Sequence, residues 1–190
     1  MKTKEVLSLA CMFLGKEELL ECEYFTSTEG YSLSQEEEKD LNLLNRCLTL
    51  ITNEISTDYL YINQNKQLKL IDGQISLEDI DDSVYEIIKV TDLYGDPLKF
   101  KVIDNNLIVC AKDVIVKYRK FAKRPTLDGE CEDFSNRISE RVLAYGVAME
   151  YSFISSLFDD ATIWENRFKN ALLVLSRKKK NIIMPAKRWQ

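Results

Sequence analysis

The chain has 190 residues, 45% hydrophobic and 30% charged, with 26 basic against 31 acidic side chains and a formal net charge of −5. Such a chain folds around a genuine core, far from the disordered regime, and its acidity argues against a broad phosphate-binding footprint. Histidine is absent, which removes Ser–His and Cys–His nucleophile pairs, histidine general bases and most transition-metal sites.

The N-terminal stretch "MKTKEVLSLACMFLGKEELL" has the outline of a signal peptide. Glu5 interrupts it, and no small-residue cleavage site precedes the charged "KEE", so it reads as an amphipathic helix of an intracellular protein. Thr3 is the expected N-cap, Val6, Leu7, Ala10, Cys11 and Leu14 form the stripe, and Gly15 is a C-terminal stop. A second short helix is expected over 16–24, then a loop, "TSTEGYSLS". Ser34 followed by Glu37 spells a capping box, and the helix it opens places Leu41, Leu44, Leu48, Ile51 and Ile55 on one face. Glu36, Glu37 and Glu38 suit the positive end of that helix.

The hydrophobic period then shortens to two. "DYLYIN", "KQLKLI", "VYEIIKV", "LKFKVI", "LIVCA" and "VIVKYRKF" read as strands, with Asp72-Gly73, Asn105-Asn106 and Gly95-Asp96-Pro97 as turns. In "LKFKVI", Leu98, Phe100 and Val102 alternate with Lys99 and Lys101, the pattern of an antiparallel sheet with one wet face. The acidic stretch "EDIDDS" is expected as a surface loop.

After "KRPTLDGECED" the helical period returns over 134–158, where Ala144, Gly146 and Ala148 permit close helix contact. Asp159 and Asp160 mark the start of a last helix with Trp164, Phe168, Ala171 and Leu175 on one face, and Arg177 to Lys180 complement its C-terminal dipole. The expected class is α+β: a helical bundle built from N- and C-terminal helices with an inserted antiparallel β-sheet. Its parts are bundle helices over 1–57, the sheet insertion over 58–122, further bundle helices over 123–180, and a docking tail over 181–190.

Few constellations carry chemistry. Glu78, Asp79, Asp81 and Asp82 lack the alternate oxygen spacing and the glycine of a calcium loop. Glu86 and Lys89 stand one residue too far apart for a restriction-type nuclease pattern. No glycine-rich phosphate loop occurs. The cysteines Cys11, Cys22, Cys47, Cys110 and Cys131 are odd in number and never in CxxC spacing, so they read as free thiols. The run "VLAYGVAM" is closed by Arg141 and Glu150, too short for the roughly 20 apolar residues of a bilayer span. No catalytic residue, metal or cofactor is expected, and no membrane partner.

Two basic segments remain. Residues 117–124 interleave Lys117, Arg119, Lys120, Lys123 and Arg124 with Tyr118 and Phe121, a composition that can bind nucleic acid; the alternation of Val114, Val116 and Tyr118 favours a core strand. The last fourteen residues, "RKKKNIIMPAKRWQ", carry six cations and no acid; the rest of the chain then holds 20 basic and 31 acidic residues, about −11. Ile182, Ile183, Met184, Pro185, Lys187, Arg188 and Trp189 combine grease, charge and a helix-breaking proline. Trp and Arg are frequent interface anchors, so these residues are the expected partner-docking site, with folding back on the chain's own domain as the alternative.

The stretch "ISERVLAYGVAMEYSFISSLFDDATIWENRFKNAL", followed by "RKKKNIIMPAKRW", resembles the C-terminal half of head–tail connector (adaptor or neck) proteins of tailed bacteriophages. The likeness covers roughly 84–190 and takes in "VIVKYRKFAKRPTLDGE", "AYGVAMEY", "WENRFKNAL" and the terminal "RW"; residues 1–83 match in general layout. What the resemblance implies is a structural virion protein without catalytic role, assembled in the host cytoplasm. It would form a homo-oligomeric ring of about twelve copies, joined to the portal and to the tail or a neighbouring neck protein, around DNA passing without sequence specificity. An acidic body would suit such a channel by repelling DNA. The alternative is a nucleic-acid-binding module using 117–124 and the Lys-rich 177–180 segment; a metal-dependent hydrolase is the third class.

Overall fold

The computed structural model describes residues 1–27, 31–132, 134 and 137–176. Helices α1 (Thr3–Leu14), α2 (Glu17–Leu20), α3 (Glu23–Thr26) and α4 (Gln35–Glu54) come first, and α4 runs into a π-turn over Ile55–Tyr59. Strands β1 (Ile62–Lys69) and β2 (Gln74–Ser76), the one-turn helix α5 (Leu77–Ile80), and strands β3 (Val84–Thr91), β4 (Phe100–Ile103), β5 (Asn106–Val109) and β6 (Asp113–Lys120) follow. Helices α6 (Glu140–Ile154) and α7 (Phe158–Ser176) complete the chain as described. The class is α+β, with the bundle drawn from both ends of the sequence and the strands inserted between. Among the described residues no helix is long and apolar enough to cross a membrane.

Helix α6 is the hub of the bundle, with α1, α4 and α7 all packed on it. Its small residues explain this. A Cβ at Gly146 would lie 2.7 Å from Ile51 Cγ2, so only glycine lets α4 approach this closely. The α4 stripe Leu41, Leu44, Leu48, Ile51 and Ile55 is buried as its spacing requires. Both halves of the capping box are made: the Glu37 amide donates to Ser34 Oγ at 3.3 Å, and the Ser34 amide donates to Glu37 Oε2 at 2.7 Å. Gly15 ends α1 in the left-handed region, φ 65°.

Several local expectations are corrected. Thr3 is the first residue of α1 rather than its cap; Lys2 precedes it, and the Thr3 amide donates instead to Gly129 C=O at 3.1 Å. "DYLYIN" is no separate strand: its first residues close the π-turn, because Ile55 and Tyr59 still pack on the bundle core. The single expected sheet is two three-stranded antiparallel sheets, ordered β1-β6-β3 and β2-β5-β4. Asp72 and Gly73, at φ 53° and 75°, turn the chain from β1 toward β2. The β4–β5 turn falls on Asp104 and Asn105, both left-handed, one position earlier than expected, since Asn106 already pairs with Ile103. The start of "EDIDDS" belongs to the helix Leu77–Ile80, and its Ile80 is buried, anchoring the acidic stretch. Helix α6 begins at Glu140, not at 134. In α7 the buried positions are Ala161, Phe168 and Leu172, while Leu175 is outside.

The sheets bury a second core of Leu70, Ile80, Val90, Leu107, Val109, Val114, Val116 and Tyr118. Ser56, in the π-turn, ties this body to the bundle. Its carbonyl accepts from Tyr85 Oη at 3.1 Å, and its hydroxyl accepts from the Ala122 amide at 3.3 Å.

Candidate functional site

The tail residues singled out from the sequence, Ile182, Ile183, Met184, Pro185, Lys187, Arg188 and Trp189, lie outside the described residues, as does the 177–180 segment. The element leading to them is described, and it is unusually apolar on its outer side. Between α6 and α7 the chain makes an elbow in which Phe153 is 40% exposed, Ile154 51%, Leu157 49% and Phe158 62%. The elbow is no loose loop: Ser155, Ser156 and Leu157 amides donate to the carbonyls of Tyr151, Phe153 and Ser152 at 2.9, 3.1 and 2.8 Å. Four large apolar side chains are therefore held outward by a well-bonded backbone. Because α7 turns Ala161, Phe168 and Leu172 toward the bundle, Ile163 and Val174 stand exposed on its outer side, separated by the polar Asn166, Arg167 and Asn170.

At one edge of that face, Phe13, Tyr145 and Trp164 stack with centroids 5.1 to 5.8 Å apart. Arg141 and Arg167 lie over Tyr145 and Trp164 at 5.5 and 4.9 Å. This half-buried cluster combines the residue types that most often anchor protein interfaces.

A groove of about 830 Å³ opens where the bundle meets the sheet. Tyr59, Tyr61, Arg119, Phe134 and Leu175 help line it. The Arg119 guanidinium lies 3.7 Å over the Tyr61 ring and bonds Glu86 at 2.5 Å.

The basic strand 117–124 is largely absorbed by the fold. β6 is the central strand of its sheet, with Val114, Val116 and Tyr118 buried. Arg119 is held by Glu86 and Tyr61, and Lys120 stands 3.6 Å from Asp81. Lys117, Lys123 and Arg124 are exposed. Burial raises the Asp81 pKa, but the Ser83 hydroxyl and amide, the Lys120 charge and the Tyr118 hydroxyl outweigh it and hold the carboxyl below its ordinary value. The acidic cluster at 78–82 thus engages its central carboxylate within the protein. Among the described residues no group of three or more His, Cys, Asp or Glu is placed to hold a metal ion.

On the bundle, burial lifts the pKa of Glu54, with Glu150 and Asp58 adding repulsion, and burial also lifts Glu150. Burial pushes the thiols of Cys11 and Cys47 up to about 12 and Cys131 up to about 11, which makes them poor nucleophiles. Cys110 is the exposed thiol of the described residues.

The elbow could have been found from "SFISSLF", where large apolar residues flank two serines; the groove could not, because its walls come from four distant segments. No family model matches the chain, and no curated protein matches it either.

Proposed function

We propose that the chain is a structural virion protein, a head–tail connector subunit that forms a ring between portal and tail around the DNA exit channel. The observation that carries the reading is the well-bonded apolar elbow, Phe153, Ile154, Leu157 and Phe158, in a chain whose sequence after α7 is basic and apolar. A surface of this kind is a liability on a lone chain and an asset in an assembly. The stacked Phe13, Tyr145 and Trp164 with their two arginines add an anchor of the type interfaces favour. The bundle with an inserted β portion agrees with the layout that the sequence resemblance implies.

The nucleic-acid-binding alternative is less well supported, since Arg119 and Lys120 already hold carboxylates inside the protein. Filter binding to duplex DNA at low and moderate salt checks it; a steep salt dependence would favour it. The connector reading is tested by deleting residues 182–190 and, separately, by replacing Phe153 and Phe158 with serine. Each change is expected to leave the purified chain folded and to abolish its incorporation into rings on the portal. Normal particles and infectivity from both variants would reject the reading.

A further inference from the structure

The elbow between α6 and α7 is charged as well as apolar, and its charge has one sign. From Val142 to Asn166 the chain holds Glu150, Asp159, Asp160 and Glu165 and no lysine or arginine. Glu150 is half-buried, and Glu165 bonds Lys169 at 2.5 Å. Asp159 and Asp160 are exposed beside Phe158, and among the described residues neither makes an ion pair. Lys16, which lies over the Tyr151 ring at 4.8 Å, is already held by Asp40 at 2.5 Å. Every residue from 153 to 160 is exposed.

A surface that sets four large apolar side chains beside two aspartates suits an occupant both apolar and cationic. The sequence supplies one: Arg177 to Lys180, followed by Ile182, Ile183 and Met184. The chain's own tail leaves from the wrong end of α7 to deliver it. Nineteen residues of helix put Ser176 about 27 Å from Phe158 and about 24 Å from Asp160. Fully stretched, the backbone of Arg177–Lys180 covers about 14 Å, so Lys180 ends about 10 Å short of its own Asp160. Ile182 and Ile183 extend at most about 25 Å, less than the helix they would have to retrace. Any turn in those residues shortens the reach further.

We propose that the α6–α7 elbow, Phe153, Ile154, Leu157 and Phe158 with Asp159 and Asp160, receives residues 177–184 of a second copy of this chain. The isoleucines and Met184 cover the apolar side chains, and the four cations meet the aspartates. Elbow-to-elbow pairing is disfavoured, because it sets the aspartates of two copies against one another. This deepens the connector reading and rests on it. The donor segment follows one end of α7 and the receptor stands at the other, so the contact is heterologous. Each subunit gives a tail to one neighbour and takes one from the next, which makes a ring where the rotation closes.

The test uses full-length chains in which Cys110→Ser removes the exposed thiol. Copies with one tag and Ser155→Cys, in the elbow, are mixed at high concentration with copies bearing another tag and Asn181→Cys, then mildly oxidised. A disulfide-linked species carrying both tags is expected, with little when Lys101→Cys in β4 replaces Ser155→Cys. Asp159→Lys with Asp160→Lys is expected to cut the yield about tenfold. Lys178→Glu with Lys179→Glu in the tail-donating copies should then restore it, which a misfolded elbow would not allow. The assignment is overturned by absence of the two-tag species, by equal yield at Lys101, or by a yield indifferent to the charge changes. Elbow-to-elbow dimers dominating from Ser155→Cys alone overturn it too, as does closure only within a single chain that carries both cysteines. Each of these failures leaves the connector reading standing, because that reading is judged by incorporation on a portal template.

Discussion

The helical body and the sheet body bury their side chains on different terms. The bundle core draws Leu7, Leu44, Leu48, Ile51, Leu143, Phe168 and their neighbours from four helices and from the segments flanking the strands, including Ala122, Cys131 and Ile138. The sheet core rests on eight buried side chains, set against partly buried residues such as Ile75, Ile87 and Phe100, with much of the remaining surface open to water. A helix hub can gather apolar side chains around its whole circumference, whereas a three-stranded sheet offers one inward face. The bundle should therefore set the stability of the chain and the sheet body should open first.

The largest effect expected is from Phe168→Ala, which empties a fully buried site between α7 and the hub and should cost about 3–5 kcal/mol in chemical denaturation. Leu107→Ala, equally buried but in the sheet core, should cost about 2–4 kcal/mol. Hydrogen exchange should show that its effect is confined to amides of the strands, while Phe168→Ala accelerates both bodies. Equal acceleration everywhere by Leu107→Ala would mean one cooperative unit and erase the distinction. Ser56→Ala, which deprives the buried Ala122 amide of its acceptor, should cost about 1–2 kcal/mol and uncouple sheet exchange from bundle exchange.

Acidification separates the bodies by sign. Glu54 and Glu150 have raised pKa values in the bundle, so ionising them disfavours the fold; the penalty is full at neutral pH and is relieved as pH falls through their raised values toward the ordinary 4.5. Asp81 in the sheet body has a lowered pKa, so it stabilises the fold above the ordinary 3.8, and that contribution fades as pH falls below it. Thermal melts of Glu54→Gln with Glu150→Gln should show a small gain at pH 7, below about 1 kcal/mol after solvent screening, and none near pH 3. Asp81→Asn should show the opposite sign, a loss at pH 7 that shrinks as the pH falls below 3.8.

Much of the bundle was legible because its signals are local. The Ser34–Glu37 capping box, the i, i+3, i+4 stripe of α4 and the glycine at the end of α1 each lie within a few turns of chain. Gly146 could be read as a contact point since nothing else fits beside a β-branched neighbour such as Ile51. The division into two sheets was not legible. It depends on Gln74–Ser76, a strand of three residues, choosing Asn106–Ile108 over β1, a preference decided by pairing at a distance. The elbow was visible as composition, but its exposure follows from how α7 is rotated on α6, which a one-position drift in the helical stripe decides. The central place of β6 between β1 and β3 was invisible for the same reason: strand order follows from pairing at a distance.

The π-turn at the end of α4 carries a mechanical consequence. Leu60 N–H reaches back to Ile55 C=O at 2.8 Å, and Ser56 in that widened turn grips both β3, through Tyr85, and the exit of β6, through Ala122. The sheet is thus tied to the end of a twenty-residue helix whose Ile51 beds against Gly146 of the hub. Residue 56 is a shared hinge point, where one turn of backbone joins the sheet to the helix that beds on the hub.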